Sequence, residues 1–147
     1  MRIAIGSDHG GYELKEILKK HIITLGDYTL DDVGTYSEES VDYPEYGAKV
    51  AKSVTDGNSD KGIVICGTGI GISIAANKIN GARAALCHTE HDAEMTRRHN
   101  DSNILALGGR TTDQELAKKI TKTWLETEFE GDRHQRRIEK IHELESN

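Results

Sequence analysis

The chain has 147 residues, of which 35% are hydrophobic and 30% charged, with a formal net charge of −6; that length suits a single domain across 1–147 whose core needs no staples. The balance is that of a soluble globular protein, the acidity argues against nucleic acid or an anionic membrane as the main partner, and no apolar run is long enough to span a bilayer. Asp8 follows the apolar start too early for a secretory signal, so a cytoplasmic protein is expected, with Cys66 and Cys87 as reduced thiols.

Arg2 to Gly6 reads as the first strand, after which Leu14, Ile17, Leu18, Ile22 and Leu25 recur on one helix face. A second strand is predicted around Tyr28 to Val33, ending at Gly34. Tyr46, Val50, Ala51 and Val54 mark a second helix, with Pro44 in its first turn and Gly57 as its stop. The run Ile63-Val64-Ile65, bounded by glycines, reads as a third strand buried on both faces. A helix from about Gly71 through Lys78 leads to a fourth strand, Ala82 to Cys87, and a polar helix from about Thr89 to Arg98. Asn103 to Leu107 is the fifth strand. Thr111 or Thr112 caps a helix carrying Leu116, Ile120 and Trp124 inward, and Glu115 completes a capping-box spacing from Thr112. A charged terminal helix from about Arg133 keeps only Ile138, Ile141 and Leu144 apolar.

This alternation predicts an α/β fold, a Rossmann-like three-layer α/β/α sandwich with a five-stranded parallel sheet, right-handed crossovers and a C-terminal helix. In open sheets of this kind ligands bind at the carboxyl ends of the strands. The loops expected there hold Ser7-Asp8-His9-Gly10-Gly11, Cys66 to Gly71, Cys87-His88 and Gly108-Gly109-Arg110. Cys66 is delivered directly onto Gly67-Thr68-Gly69-Ile70-Gly71. Glycines at 67, 69 and 71 let backbone amides approach an anion, and a helix starting near Gly71 would turn its positive end toward the thiol and favour the thiolate.

A nucleotide-binding turn is a poor match for this loop. It lacks the Gly-x-Gly-x-x-Gly register, follows the third strand instead of the first, and has no P-loop Lys-Ser/Thr ending. Cys87-His88-Thr89-Glu90-His91-Asp92 has the composition of a metal site, but its spacing matches no common zinc pattern. No metal or other cofactor is expected. The basic clusters Arg97-Arg98-His99 and Arg133-His134-Gln135-Arg136-Arg137, set in an acidic chain, suit a small anion better than a polymer.

Motifs spread over nearly the whole chain resemble the ribose/galactose isomerase family, and in particular its ribose-5-phosphate isomerase B branch. They are Ile5-Gly6-Ser7-Asp8-His9-Gly10-Gly11-Tyr12-Glu13-Leu14-Lys15, Asp42-Tyr43-Pro44, Cys66 to Gly71, Ala75-Ala76-Asn77-Lys78, Arg98-His99-Asn100-Asp101, Leu107-Gly108-Gly109-Arg110 and Arg133 to Arg137. The resemblance implies a metal-free aldose–ketose isomerase of the pentose phosphate pathway, a homodimer or dimer of dimers with sites shared between subunits. It implies Cys66 as the base, His99 as the acid in ring opening and Thr68 as an assisting hydroxyl. By the same resemblance the backbone of Gly67, Gly69, Ile70 and Gly71 stabilises the intermediate, Asp8, His9, Tyr43 and Asn100 contact the sugar, and Arg110, Arg133 and Arg137 surround the phosphate. Position 10 is Gly where the family often has Ala. A sister branch uses a glutamate just after the glycine loop, where this chain has Ile72.

Plainer roles exist for several of these residues. Asp8 by default caps a helix, Arg133 and Arg137 lie on a solvated face, and Cys87 and Trp124 read as structural. Two rival functions fit the same pattern: isomerisation of a six-carbon substrate such as allose 6-phosphate or galactose 6-phosphate, and a sensor that binds a sugar phosphate without turning it over.

Overall fold

The computed structural model describes residues 1–145. Five strands, β1 (Arg2–Ser7), β2 (Thr29–Asp32), β3 (Lys61–Cys66), β4 (Ala84–Leu86) and β5 (Ile104–Gly108), form one parallel sheet in the order β2-β1-β3-β5-β4. The helices between and after them are α1 (Tyr12–Leu25), α2 (Tyr43–Thr55), α3 (Ile70–Ala76), α4 (Glu90–Asn100), α5 (Gln114–Glu126) and α6 (Arg133–Glu143). The expected Rossmann-like three-layer sandwich with its C-terminal helix is therefore the fold observed.

The two faces of the sheet differ because successive side chains of a strand point to opposite sides. Ile3, Ile5, Ile63, Ile65, Leu105 and Leu107 meet Leu14, Leu18 and Ile22 of α1, Ala93 of α4, and Ile120 and Trp124 of α5. On the other face the smaller Ala4, Val64, Cys66 and Ala106 meet Val50 and Ala51 of α2 and Ile72 and Ala76 of α3. Glycine lets α2 come close: a Cβ at Gly62 would lie 2.5 Å from Val50 Cγ1, and one at Gly6 would lie 2.9 Å from both Val33 and Val50.

Several boundaries differ from those expected. β4 is only three residues long, because Arg83 N donates to Asn103 Oδ1 and Ala84 N to Asn77 Oδ1, so side chains take up the amide just before the strand and that of its first residue. The cap of α5 is Asp113, not Thr111 or Thr112. Its carboxylate accepts from the amides of Glu115 and Leu116, while Thr112 N donates to Gly108 O in the turn leaving β5. Trp124 is fully buried as expected, and its Nε1 donates to Ser102 Oγ at 2.9 Å. Of the three apolar residues expected to hold the terminal helix only Ile138 is buried; Ile141 is 45% exposed, and Leu144, just past the end of α6, is 84% exposed.

Lys15 shows a feature that periodicity does not reveal. It lies fully buried on α1, and its Nζ donates to both oxygens of Asp32 at 2.6 and 2.7 Å, with the Tyr12 and Tyr36 rings flanking the ammonium. Lys19 Nζ and the Gly34 amide also donate to Asp32. The pair fixes the end of β2, and the turn that follows it, against α1. Burial alone would raise the Asp32 carboxyl, but these donors hold it below the usual carboxylate range. Asp32→Asn should therefore destabilise the protein by about 3 kcal/mol at neutral pH, since it removes the main counter-ion of a buried ammonium and leaves only the partly exposed Glu16 carboxylate, 3.6 Å away. Its sign with pH follows from the lowered value: the stabilisation is complete above about pH 4 and is lost as pH falls through the folded-state value. Urea unfolding of both proteins should show their difference shrinking below that pH, and a constant difference down to pH 2.5 would contradict the assignment.

Candidate active site

Cys66 is the last residue of β3 and only 5% exposed. The chain turns immediately after it, and the Gly69 N–H donates to Cys66 Sγ at 3.1 Å. That turn needs glycine at 69 for two reasons. Its φ is +78°, and a Cβ there would lie 2.7 Å from the Leu107 carbonyl carbon and 2.6 Å from Leu86 Cδ1. The neighbouring Ile70 N–H donates to Thr68 Oγ1 at 3.2 Å. Two of the amides expected to face a ligand are thus already directed at Cys66 and Thr68. The helix after the loop, α3, starts at Ile70, one residue earlier than predicted.

The other carboxyl-edge residues close around this loop. Arg110 N donates to Gly67 O at 2.9 Å, and its guanidinium passes over Gly67 and Gly10. A methyl at position 10 would sit 3.1 Å from Gly67 N and 3.3 Å from Arg110 Cζ, so glycine there gives the arginine room. Tyr43, at the start of α2, lays its ring against Gly71, where a Cβ would come within 2.6 Å of the ring. Gly71 thus serves a packing contact as well as access to the loop. Asp8 is 7% exposed and caps a short 3₁₀ turn, His9–Gly11, by accepting from Gly11 N at 3.1 Å. His9 Nδ1 accepts from the Val41 amide at 3.2 Å, which puts the proton of the neutral ring on Nε2 and leaves that nitrogen for a ligand.

His99, Asn100, Arg133 and Arg137 lie elsewhere. α4 leaves the carboxyl end of β4 and runs back along the sheet, so its last residues reach the amino ends of the strands. Asn100 O there accepts from Nε of Arg83, the residue just before β4. A groove of about 550 Å³ opens at this end, lined in part by Arg83, Thr96, Asn100, Ile141 and Leu144. The start of α6 packs on the end of α4, with the His134 and His99 rings stacked 4.3 Å apart. Arg133 and Arg137 stand one turn apart on α6, both exposed and without an ion pair among the described residues. From Glu90 to His99 is nine helical steps, or about 14 Å. One copy of the chain therefore does not bring His99 to Cys66.

The whole chain matches one family. Residues 3–141 fit the model described as Ribose/Galactose Isomerase. Ribose-5-phosphate isomerase B of Escherichia coli strain K12 is 48% identical over 144 residues, covering 98% of this chain and 96% of the relative. The solved structure of Clostridium thermocellum ribose-5-phosphate isomerase B superposes with a TM-score of 0.97 at 55% identity, covering 99% of this chain and 97% of that one. That of the Mycoplasma genitalium enzyme with bound ribulose-5-phosphate does so with a TM-score of 0.93 at 40% identity, covering 99% and 97%. The chain belongs to the ribose/galactose isomerase family.

The two thiols differ sharply in setting. Burial first, and then the Asp92 carboxylate, push Cys87 up to about 12, and Cys87 lies packed in the sheet core, 1% exposed. Cys66, 5% exposed, sits at the strand end and accepts from the loop amide of Gly69. Iodoacetamide at pH 7.5 should alkylate Cys66 and leave Cys87 unmodified in the folded protein, read by peptide mass spectrometry. Equal labelling of both would contradict this division.

Proposed function

We propose that the chain is a single-domain, metal-independent aldose–ketose isomerase that interconverts D-ribose 5-phosphate and D-ribulose 5-phosphate. It works in the cytoplasm as a homodimer or dimer of dimers, each site combining the Cys66 end of one copy with the His99 end of another. The observation that carries the chemistry is the Gly69 N–H directed at the Cys66 sulfur, in a chain of this family. The separation of His99 from Cys66 within one copy supports the shared site.

His99 gives a proton to the ring oxygen of the furanose as the anomeric hydroxyl loses one, which opens the aldehyde. The Cys66 thiolate, its charge held by the Gly69 amide, then removes the proton from C2. The electron pair of that C–H bond forms the C1–C2 double bond, and the carbonyl electrons move to O1, giving an enediolate. Returning the proton to C1, with transfer of the O2 hydroxyl proton to O1, leaves the ketone at C2. Thr68 accepts from the Ile70 amide, so its own hydroxyl proton is free to assist. With Gly69 and Ile70 committed, Gly67 and Gly71 supply the amides for the enediolate. Asp8, His9, Tyr43 and Asn100 orient the sugar, and the guanidiniums of Arg110, Arg133 and Arg137, unpaired among the described residues, match the phosphate, which anchors without reacting.

A pentose substrate is supported by the names of the relatives and by a single chain that carries the cysteine. Cys66→Ala should lower kcat by about 10³-fold while the fold persists; full ketose formation by this variant would sink the base assignment. His99→Asn should lose more on ribose 5-phosphate than on an aldose phosphate that cannot close a ring, whereas equal losses would count against ring opening. Side-by-side kcat/KM on ribose 5-phosphate, allose 6-phosphate and galactose 6-phosphate should favour the pentose. Binding of ribose 5-phosphate without any ketose would favour the sensor.

A further inference from the structure

His99 is backed by a group of residues that the steps above do not use. Its ring stacks on His134 with planes only 15° apart. His134 is 4% exposed, and its Nε2 has no hydrogen-bond partner among the described residues, while Glu130 Oε2 lies 3.5 Å away. Glu130 is itself pinned to α4. Its Oε1 accepts from Arg98 Nε at 2.7 Å, its amide donates to Arg98 O at 3.2 Å, and Glu94 holds the other side of that guanidinium at 3.0 Å. A tight turn with positive φ at Gly131 and Asp132 then carries the chain from Glu130 into α6 and sets His134 over His99.

One donor atom from each of His99, His134 and Glu130 lies within 4.8 Å of the others. Near-parallel rings do not aim their lone pairs at a common point, and Arg98 already occupies the carboxylate. The cluster therefore suits a shared proton better than a metal ion. We propose that Glu130 and His134 are positioning residues for ring opening: the His134 face sets the plane of the His99 imidazole, and the Arg98-anchored carboxylate keeps one proton on the stacked pair. The proposal rests on the reading of His99 as the ring-opening acid.

Two imidazolium rings stacked at 4.3 Å would repel, so the stack carries one cation more readily than two. Burial, followed by the charges of Arg133 and His99, keeps His134 below the usual imidazole range, with Glu130 opposing and Arg137 adding. That direction favours the neutral form of His134. The charged groups around the pair are Arg98 and Glu94 from α4, Glu130 from the turn, and Arg133 and Arg137 from α6. Glu130 is the carboxylate beside both rings, and removing its charge lowers the proton affinity of the pair.

The test is Glu130→Gln, with Glu130→Asp and His134→Asn beside it, assayed on ribose 5-phosphate and on the same sugar deuterated at C2. In Glu130→Gln the alkaline limb of kcat/KM should move to lower pH by about half to one unit. The deuterium isotope effect on kcat/KM should shrink toward unity as ring opening becomes slower than C–H cleavage. His134→Asn should shrink it as well, and Glu130→Asp should restore most of the wild-type behaviour. A Glu130→Gln enzyme with an unmoved pH limb and an undiminished isotope effect would overturn the proposal, even if its rate were lower. The isotope effect needs only that some group removes the C2 proton, so failure of Cys66 as the base is seen separately. An unchanged isotope effect in His99→Asn would bring down the ring-opening reading, and this proposal with it.

Discussion

A parallel sheet has a direction, and in this chain the direction divides the chemistry. Every strand delivers its last residue to one edge, so Cys66, Ser7 and Gly108 emerge side by side, and the loops that follow them form one surface. Each connecting helix must start at that edge and return to the other. α4 therefore leaves its final turn, with His99 and Asn100, at the amino ends of the strands. Rotamer changes move a side chain by a few ångströms, not the roughly 14 Å that nine helical residues span. In the proposed mechanism acid and base therefore meet across two copies, and α6, docked on the end of α4, adds its arginines to the half that carries the acid.

Within the carboxyl edge, close packing and charge are served by the same glycines. Gly69 turns its amide onto the thiol because a positive φ and the nearby Leu107 backbone forbid any side chain there. Gly71 receives the Tyr43 ring, and Gly10 and Gly67 lie beneath the Arg110 side chain. In the proposed mechanism a permanent dianion is met by flexible guanidiniums from separate segments, whereas charge that exists only during the reaction is met by fixed backbone amides. This is the division expected if anchoring and transition-state stabilisation are separate tasks.

Much of this was legible in the sequence, because its signals are local. β-branched runs, helix periodicity and the glycine loop after Cys66 predict the layer order and the carboxyl-edge cluster. What escaped depends on partners distant in the chain. Lys15 sits in a helix motif like any surface lysine, and only Asp32, seventeen residues on, explains its burial. Glu130 looks like one more acidic residue before a charged helix until Arg98 is seen to hold it. The cap of α5 lies one or two residues past the expected Thr111 or Thr112 because Asp113 carries a capping oxygen as well, and the turn out of β5 decides among them. The short β4 likewise follows from side-chain bonds of Asn77 and Asn103, which no strand propensity encodes.

The central claim is that each site is built from two copies, and mixing two impaired variants tests it most directly. Cys66→Ala and His99→Asn chains should each turn over ribose 5-phosphate far more slowly than wild type when alone. Coexpressed, they should form hybrids in which one site joins an intact Cys66 to an intact His99 from the other copy. Random assembly of dimers predicts recovery of about a quarter of wild-type activity. No recovery from hybrids shown to have formed would contradict the account.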